Sequence, residues 1–225
     1  MGPYAKEELL ACVVARLLGG ARHAAIGASS PIPATAAFLH QCNDAAFRVT
    51  LQQRRAANPL TEGSRELFDL AGQGRLDVFF LGGAQIDGEA SINLVTADGR
   101  RFPGSFGSAY LYPIVPRVIL FREEHSRRTL VPKVDFVSAR GTPAALVTGK
   151  ALFSWQRDRR RFRLESFHPG SSAQDVRANT GFDYDASSSL AVTREPAEEE
   201  LKILRNKVAR QIAPDYPEFA RRVWG

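Results

Sequence analysis

Glycines set beside polar side chains are where this chain could do chemistry. Val78-Phe79-Phe80-Leu81 runs into Gly82-Gly83-Ala84-Gln85-Ile86-Asp87, an apolar strand opening on a glycine pair, an amide and a carboxylate. Glycine lets the backbone turn sharply and lets another group approach it, so Gln85 is a candidate binding residue. Asp87-Gly88 is a hairpin signal, and Ile92-Asn93-Leu94-Val95 reads as the returning strand. A plain hairpin is the simpler account of the same pattern. His23-Ala24-Ala25-Ile26-Gly27 reads as a strand passing through Ala28-Ser29-Ser30-Pro31 to a helix. A turn containing Gly27 at a helix N-terminus suits an anion or a thioester carbonyl, and equally an ordinary strand-to-helix connection. Gly104-Ser105-Phe106-Gly107 is a third glycine-rich turn. His125 stands alone in the charged stretch Arg122 to Arg128, with no serine or aspartate spaced for a triad, and that stretch is expected to be solvated. With no CxxC or histidine pair, a metal site has no support.

The elements that must hold these turns alternate. Lys6 to Leu18 places its leucines and valines on roughly one helical face, and Gly19-Gly20 ends it. A second helix, with Pro33 in its first turn, runs to about Gln41. Phe47 to Gln52 is a strand with Phe47, Val49 and Leu51 inward. Ser64 to Ala71 is a short helix, capped by Thr61 or Ser64 with Glu62 favouring its dipole. Strands follow at Arg117–Phe121 and Val134–Val137. An antiparallel set comes next at 145–148, 151–155 and 162–167, with arginines at its last hairpin tip. Ser172-x-x-Asp175 starts a helix that ends at Gly181; Pro196 opens the longest helix; Pro217 to Trp224 is a final amphipathic one. The pattern predicts an α/β fold, one domain over residues 1–225, with a mixed sheet flanked by helices.

Composition narrows the classes. At 225 residues and 44% hydrophobic, the chain can bury a full core. No apolar run approaches the ~20 residues of a membrane span, and Lys6-Glu7-Glu8 is wrong for a secretory signal. Cys12 and Cys42 cannot make a disulfide framework and read as small core residues in a reducing compartment, hence the cytoplasm. A net charge of +6 invites a nucleic-acid reading. The basic residues, however, cluster only at Arg157–Arg163, without a binding motif. An acidic partner subunit or a cofactor's phosphates account for the charge as well.

Four stretches in order carry a resemblance: GGAQID from Gly82, then Arg101-Phe102-Pro103-Gly104-Ser105-Phe106-Gly107-Ser108-Ala109. Pro132-Lys133-Val134-Asp135-Phe136-Val137-Ser138 and the segment His168 to Asp183 complete it. The chain resembles family I CoA-transferases, specifically the B-type chain of glutaconate CoA-transferase. The resemblance implies the CoA-transferase (NagB/RpiA-like) fold and a coenzyme A thioester as substrate, with no resident cofactor. It also implies an A-type partner in a heterodimer or heterotetramer. Gly104 and Gly107 would give backbone N–H groups to the thioester oxyanion, with Gly27 and Gln85 lining the CoA cleft. The family's nucleophile is a glutamate ending the strand that corresponds to Phe47–Gln52, and here Leu51 or Gln52 stands in its place. A carboxylate must serve as nucleophile and then leaving group; an amide only donates and accepts hydrogen bonds. Glu62, beside Gly63, is the one nearby substitute. Phe106 also replaces a glycine the family prefers, and the loop from Arg54 to Ser64 is shorter than the family's. The reading is therefore a B-type subunit acting on an acyl-CoA, by hydrolysis, decarboxylation or ring opening rather than by transfer. The alternative is a non-catalytic subunit that binds CoA esters or scaffolds its partner.

Overall fold

The computed structural model describes residues 3–55, 58–97 and 99–225; Ala56 and Ala57, in the short loop after Gln52, lie outside them. Two compact units form, one of residues 1–78 with 194–225 and the other of residues 79–193. The α/β expectation is met, with strands paired in both senses.

In the first unit, His23–Ile26 and Arg48–Leu51 pair in parallel, with Ala24 opposite Val49 and Ile26 opposite Leu51. Parallel strands need a crossover, and the helix Pro31–Asn43 supplies it. Pro31 opens that helix at a position where its missing N–H costs nothing. Strict alternation on Arg48–Leu51 is corrected: Thr50 is buried beside Leu51, while Val49 is only partly covered. The hydroxyl of Thr50 is satisfied by His23 Nε2 at 2.8 Å.

The helix Lys6–Arg16 departs from the one-face pattern, because Glu8 through Ala15 are all buried. It is sandwiched: it packs on Pro31–Asn43 and is tied to the C-terminal segment. Arg16 donates to both Glu200 oxygens, at 3.2 and 2.6 Å. Glu8, 2% exposed, accepts from Arg205 at 2.8 and 2.9 Å, from Trp224 Nε1 at 3.1 Å and from the Ala5 N–H at 2.9 Å. The expected long helix is Glu198–Ile203, continued by a π-type segment Leu204–Val208 and by Ala209–Ile212. Pro217–Trp224 follows as predicted. The cap expected before Ser64–Gly72 is replaced: Glu66 reaches back to the N–H groups of Thr61 (2.8 Å) and Glu62 (3.3 Å). Cys12 is buried and its thiol is pushed up to about 12 by that burial, while Cys42 is half-buried.

In the second unit, Ala145–Thr148 runs parallel to Arg117–Arg122 and antiparallel to Ala151–Gln156, which is antiparallel to Arg161–Phe167. Ala151–Gln156 and Arg161–Phe167 alternate buried and half-exposed residues, the sign of a sheet packed on one face. Phe153, Trp155, Phe162 and Phe182 meet across it with ring centroids 4.9 to 6.3 Å apart, each pair adding roughly 1 kcal/mol beyond burial. Asp185–Val192 adds an edge strand parallel to Arg161–Phe167. Its serine run gives no alternation to read. The arginines of the hairpin tip are paired, Arg159 and Arg161 with Asp185 at 2.9 and 3.3 Å. Val134–Val137 is not a strand; a short one follows at Ala139–Arg140, pairing with Ser91–Asn93. Among the described residues no helix is long and apolar enough to cross a membrane.

Burial alone would raise the Glu8 carboxyl, but the bonds from Arg205, Ala5 and Trp224 outweigh it and hold the group below its ordinary range. A depressed carboxyl contributes stability that is present above its unfolded pKa and is lost as pH falls through the folded one. Arg205→Leu strands that carboxylate, and with Arg205 itself half-exposed the cost is about 2 kcal/mol at pH 7. Urea unfolding is expected to show this gap, and to show it closing once Glu8 is protonated in both states.

Candidate functional site

Val78–Leu81 is buried throughout and ends where side chains no longer fit. A Cβ on Gly82 would lie 2.9 Å from the Phe121 carbonyl oxygen, and one on Gly83 would lie 2.7 Å from that of Gln85. The two glycines are steric requirements. Beyond them Gln85–Ile86 pairs with Ser91–Asn93 as the expected hairpin, and Ile86 also exchanges bonds with Thr129 and Val131. Asp87, 2% exposed, closes the turn: one oxygen accepts from the N–H groups of Glu89 (3.0 Å) and Ser91 (2.9 Å), the other from Val134 at 3.3 Å. This is why 134–137 is irregular. Its N–H groups turn toward side chains in place of a neighbouring strand.

Gln85 is 4% exposed, and its amide is spent inside the fold. Its Oε1 accepts from Asn93 Nδ2 at 2.8 Å and from the Asp135 N–H at 3.0 Å; its Nε2 donates to Asp135 Oδ2 at 2.9 Å. Asn93 in turn accepts from Val95 and donates to the Thr96 carbonyl. GGAQID and the lysine-x-aspartate segment, separate in sequence, are thus one hydrogen-bonded assembly.

The glycine-rich turn leads into the helix Ser108–Ile114. Gly104 has φ 116° with open space around it, and Phe106 has φ 48°. Gly107 precedes the helix, and Ser108 turns both its N–H and its hydroxyl back to the Ser105 carbonyl.

The remaining candidates lie in the first unit. Gly27 follows His23–Ile26; a Cβ there would sit 3.6 Å from Ser30 Oγ, ordinary contact, so conformation does not demand glycine. The Tyr216 hydroxyl, pushed up to about 12 by burial, donates to the Ala28 carbonyl at 2.7 Å and fixes this turn. No local signal in the sequence could have joined residues so far apart. Gln52 sits just past Arg48–Leu51; its N–H donates to the Ile26 carbonyl at 3.0 Å, extending the ladder. Its Nε2 is buried and has no hydrogen-bond partner among the described residues. Glu62 is 67% exposed, pairing with Arg65 at 3.6 Å.

His125 is corrected from a solvated residue to a buried one, 6% exposed. Thr180 Oγ1 donates to the Val176 carbonyl and so accepts from His125 Nε2 (3.0 Å), leaving Nδ1 to accept from the Thr148 hydroxyl at 2.7 Å. His168 is held similarly, between Thr193 Oγ1 (2.8 Å) and the Thr148 carbonyl (3.0 Å). Burial pushes His125 down to about 4, so it is neutral and structural.

Strand ends that open into glycine-built turns, on a mixed α/β framework, define the class. The family model described as Coenzyme A transferase matches residues 40–179, and the chain belongs to that family. It is 26% identical to the B-type chain of the 3-oxoadipate CoA-transferase of Pseudomonas knackmussii, over 95% of this chain and 96% of that one. It is 27% identical to the B-type chain of the glutaconate CoA-transferase of Acidaminococcus fermentans, over 58% and 56%. Among solved structures it resembles the decarboxylase AibA/AibB, with a TM-score of 0.79 at 26% identity, covering 98% and 99% of the chains. It also shares the fold of Rhodococcus jostii IpdAB, with a TM-score of 0.80 at 23% identity and 99% coverage of both.

Two outcomes test this geometry. Asp87→Ala leaves three N–H groups without their acceptor and is expected to cost about 3 kcal/mol in a urea titration. For His125, the unfolded chain takes up a proton near pH 6.5 that the folded chain refuses until about 4. Stability therefore falls as pH drops across that window, and His125→Gln is expected to flatten the dependence while lowering stability at pH 7.

Proposed function

We propose that the chain, acting over residues 1–225 as one B-type subunit, works with an A-type subunit on an acyl-coenzyme A thioester in the cytoplasm. Its chemistry is hydrolysis, decarboxylation or ring opening rather than CoA transfer through a glutamyl thioester on this chain. The observation that carries the reading is Gln52, an amide with a buried and unpartnered Nε2 at the strand end where the resemblance calls for a carboxylate. An amide nitrogen cannot carry an acyl group as an anhydride and then leave; it can orient a carbonyl or a water. Glu62, the nearest carboxylate in sequence, is a surface residue paired with Arg65, which argues against its serving as a substitute.

Gly104 and Gly107 are proposed to bring backbone N–H groups to the thioester oxygen. The φ of 116° at Gly104 supports this, since it is a conformation that residues with side chains avoid. Gly27 is proposed to let the coenzyme approach, and Gln85 to hold that surface in place through Asn93 and Asp135. Relatives named as a decarboxylase and as a cholesterol ring-cleaving hydrolase subunit, the latter 29% identical over 63% of this chain, support chemistry other than transfer. The second reading, a non-catalytic subunit that binds CoA esters, is favoured by the short connection between Leu51 and Ser64.

Mass spectrometry of the purified two-chain complex after acyl-CoA and borohydride or hydroxylamine trapping decides between them. The expected result is turnover to free acid, carbon dioxide or ring-opened product, with no CoA adduct on this chain. A glutamyl-CoA adduct here would restore the transferase reading, and CoA binding without turnover would favour the second. Gln52→Glu supplies the missing carboxylate, and the adduct is expected to appear in that variant alone.

A further inference from the structure

Among the described residues, the large apolar side chains left in solvent are concentrated in two segments. Phe102 (37% exposed), Phe106 (62%), Tyr110 (42%) and Ile114 (38%) belong to one, Phe136 (47%) and Val137 (45%) to the other. Phe106, Tyr110 and Ile114 recur every fourth residue along the turn and helix Ser108–Ile114, so they share one face. Leu111 and Tyr112 are buried on the opposite side. The second segment leads into Ala139–Arg140, which packs on that helix, and a Cβ on Gly141 would strike the Tyr112 ring at 2.5 Å. Both segments therefore run side by side on the second unit. Phe106 also holds φ 48°, a conformation that a bulky residue rarely adopts, with its ring outward. Exposed cations border the apolar residues: Arg100 and Arg101 precede Phe102, and Lys133 precedes Phe136.

We propose that this aromatic face is where the A-type subunit docks, through a surface that is apolar at its centre and acidic at its rim. The inference rests on the two-subunit reading above. An apolar centre with a charged border is the anatomy of a specific protein interface, and a contiguous exposed patch of aromatic residues marks such a site. The charge selects the occupant. In a symmetric pairing of two copies, Arg100, Arg101 and Lys133 would meet across the axis in a chain already carrying +6. An acidic-rimmed partner meets complementary charge instead. Phe106 lies between Gly104 and Gly107, so docking here also closes the glycine-rich turn against water.

The test co-expresses the A-type subunit with this chain bearing Tyr110→Glu and Phe136→Glu. Both side chains point outward, so the isolated variant is expected to keep its circular dichroism and melting midpoint. Its affinity for the A-type subunit is expected to fall at least 100-fold by calorimetry. Lys133→Glu is expected to slow association and weaken its salt dependence, and Val192→Glu, at another exposed apolar residue, to leave binding unchanged. Undiminished affinity of the double variant overturns the docking proposal while the two-subunit reading stands. If the unaltered chain forms no complex, both fall. If the isolated chain is a dimer that Tyr110→Glu splits without affecting the A-type subunit, the face belongs to a second copy and the proposal is wrong.

Discussion

Asp87 is the constraint on which the second unit's polar surface depends. Its carboxylate is almost fully buried yet has no arginine or lysine bonded to it; backbone N–H groups from the hairpin turn and from Val134 satisfy it. That arrangement does two jobs at once. It forces the tight turn at Gly88, where a Cβ would come within 2.9 Å of Phe182. It also anchors residues 134–138 beside the hairpin, so that Asp135 can bracket Gln85. Remove the carboxylate and the turn, the lysine-x-aspartate segment and the amide assembly lose their common support.

The same interaction shows where the sequence was legible and where it was not. The strand Val78–Leu81, the glycine pair and the Asp-Gly turn were readable because local sterics dictate them: each glycine stands where a Cβ would collide. Ser172 was readable as a helix cap, and it does accept from the Asp175 N–H. Val134–Val137 was misread because its apolar alternation is genuine strand chemistry, but the partners of its N–H groups are side chains some fifty residues away. His125 was misread for a related reason. Its neighbours Arg122, Glu123, Glu124 and Arg127 are charged, and only tertiary structure brings Thr148 and Thr180 to its ring. The Lys6–Arg16 helix looked one-faced because its other face is covered by residues from the far end of the chain.

The candidate site divides along the same line. Gly104, Gly107 and Gln85 could be singled out by residue type and by resemblance, but their standing differs once neighbours are seen. Gly104 is free to offer backbone, whereas Gln85 is committed to Asn93 and Asp135 and acts on its surroundings only by holding them still. Phe106 shows the limit of reasoning from residue type. As a glycine replacement it looked like a narrowing of the turn, yet its ring is the most exposed of the large apolar side chains in this structure.

Gln52 explains how a chain can keep this fold while giving up a nucleophile. The position of residue 52 is set by its backbone, whose N–H continues the parallel ladder to the Ile26 carbonyl. Leu51 fills the core just before it, and Arg54 just after is held by Asp215 at 2.8 Å. None of these contacts involves the side chain of residue 52. An exchange between glutamate and glutamine there changes charge and nucleophilicity but almost no volume, so packing neither enforces nor forbids it. The cost is local: a buried amide nitrogen without a partner, a group that ordinarily costs roughly 1–3 kcal/mol until something accepts its hydrogens. A carbonyl oxygen or a water bound at that strand end would recover that energy. The residue that cannot form a thioester is therefore suited to hold one still.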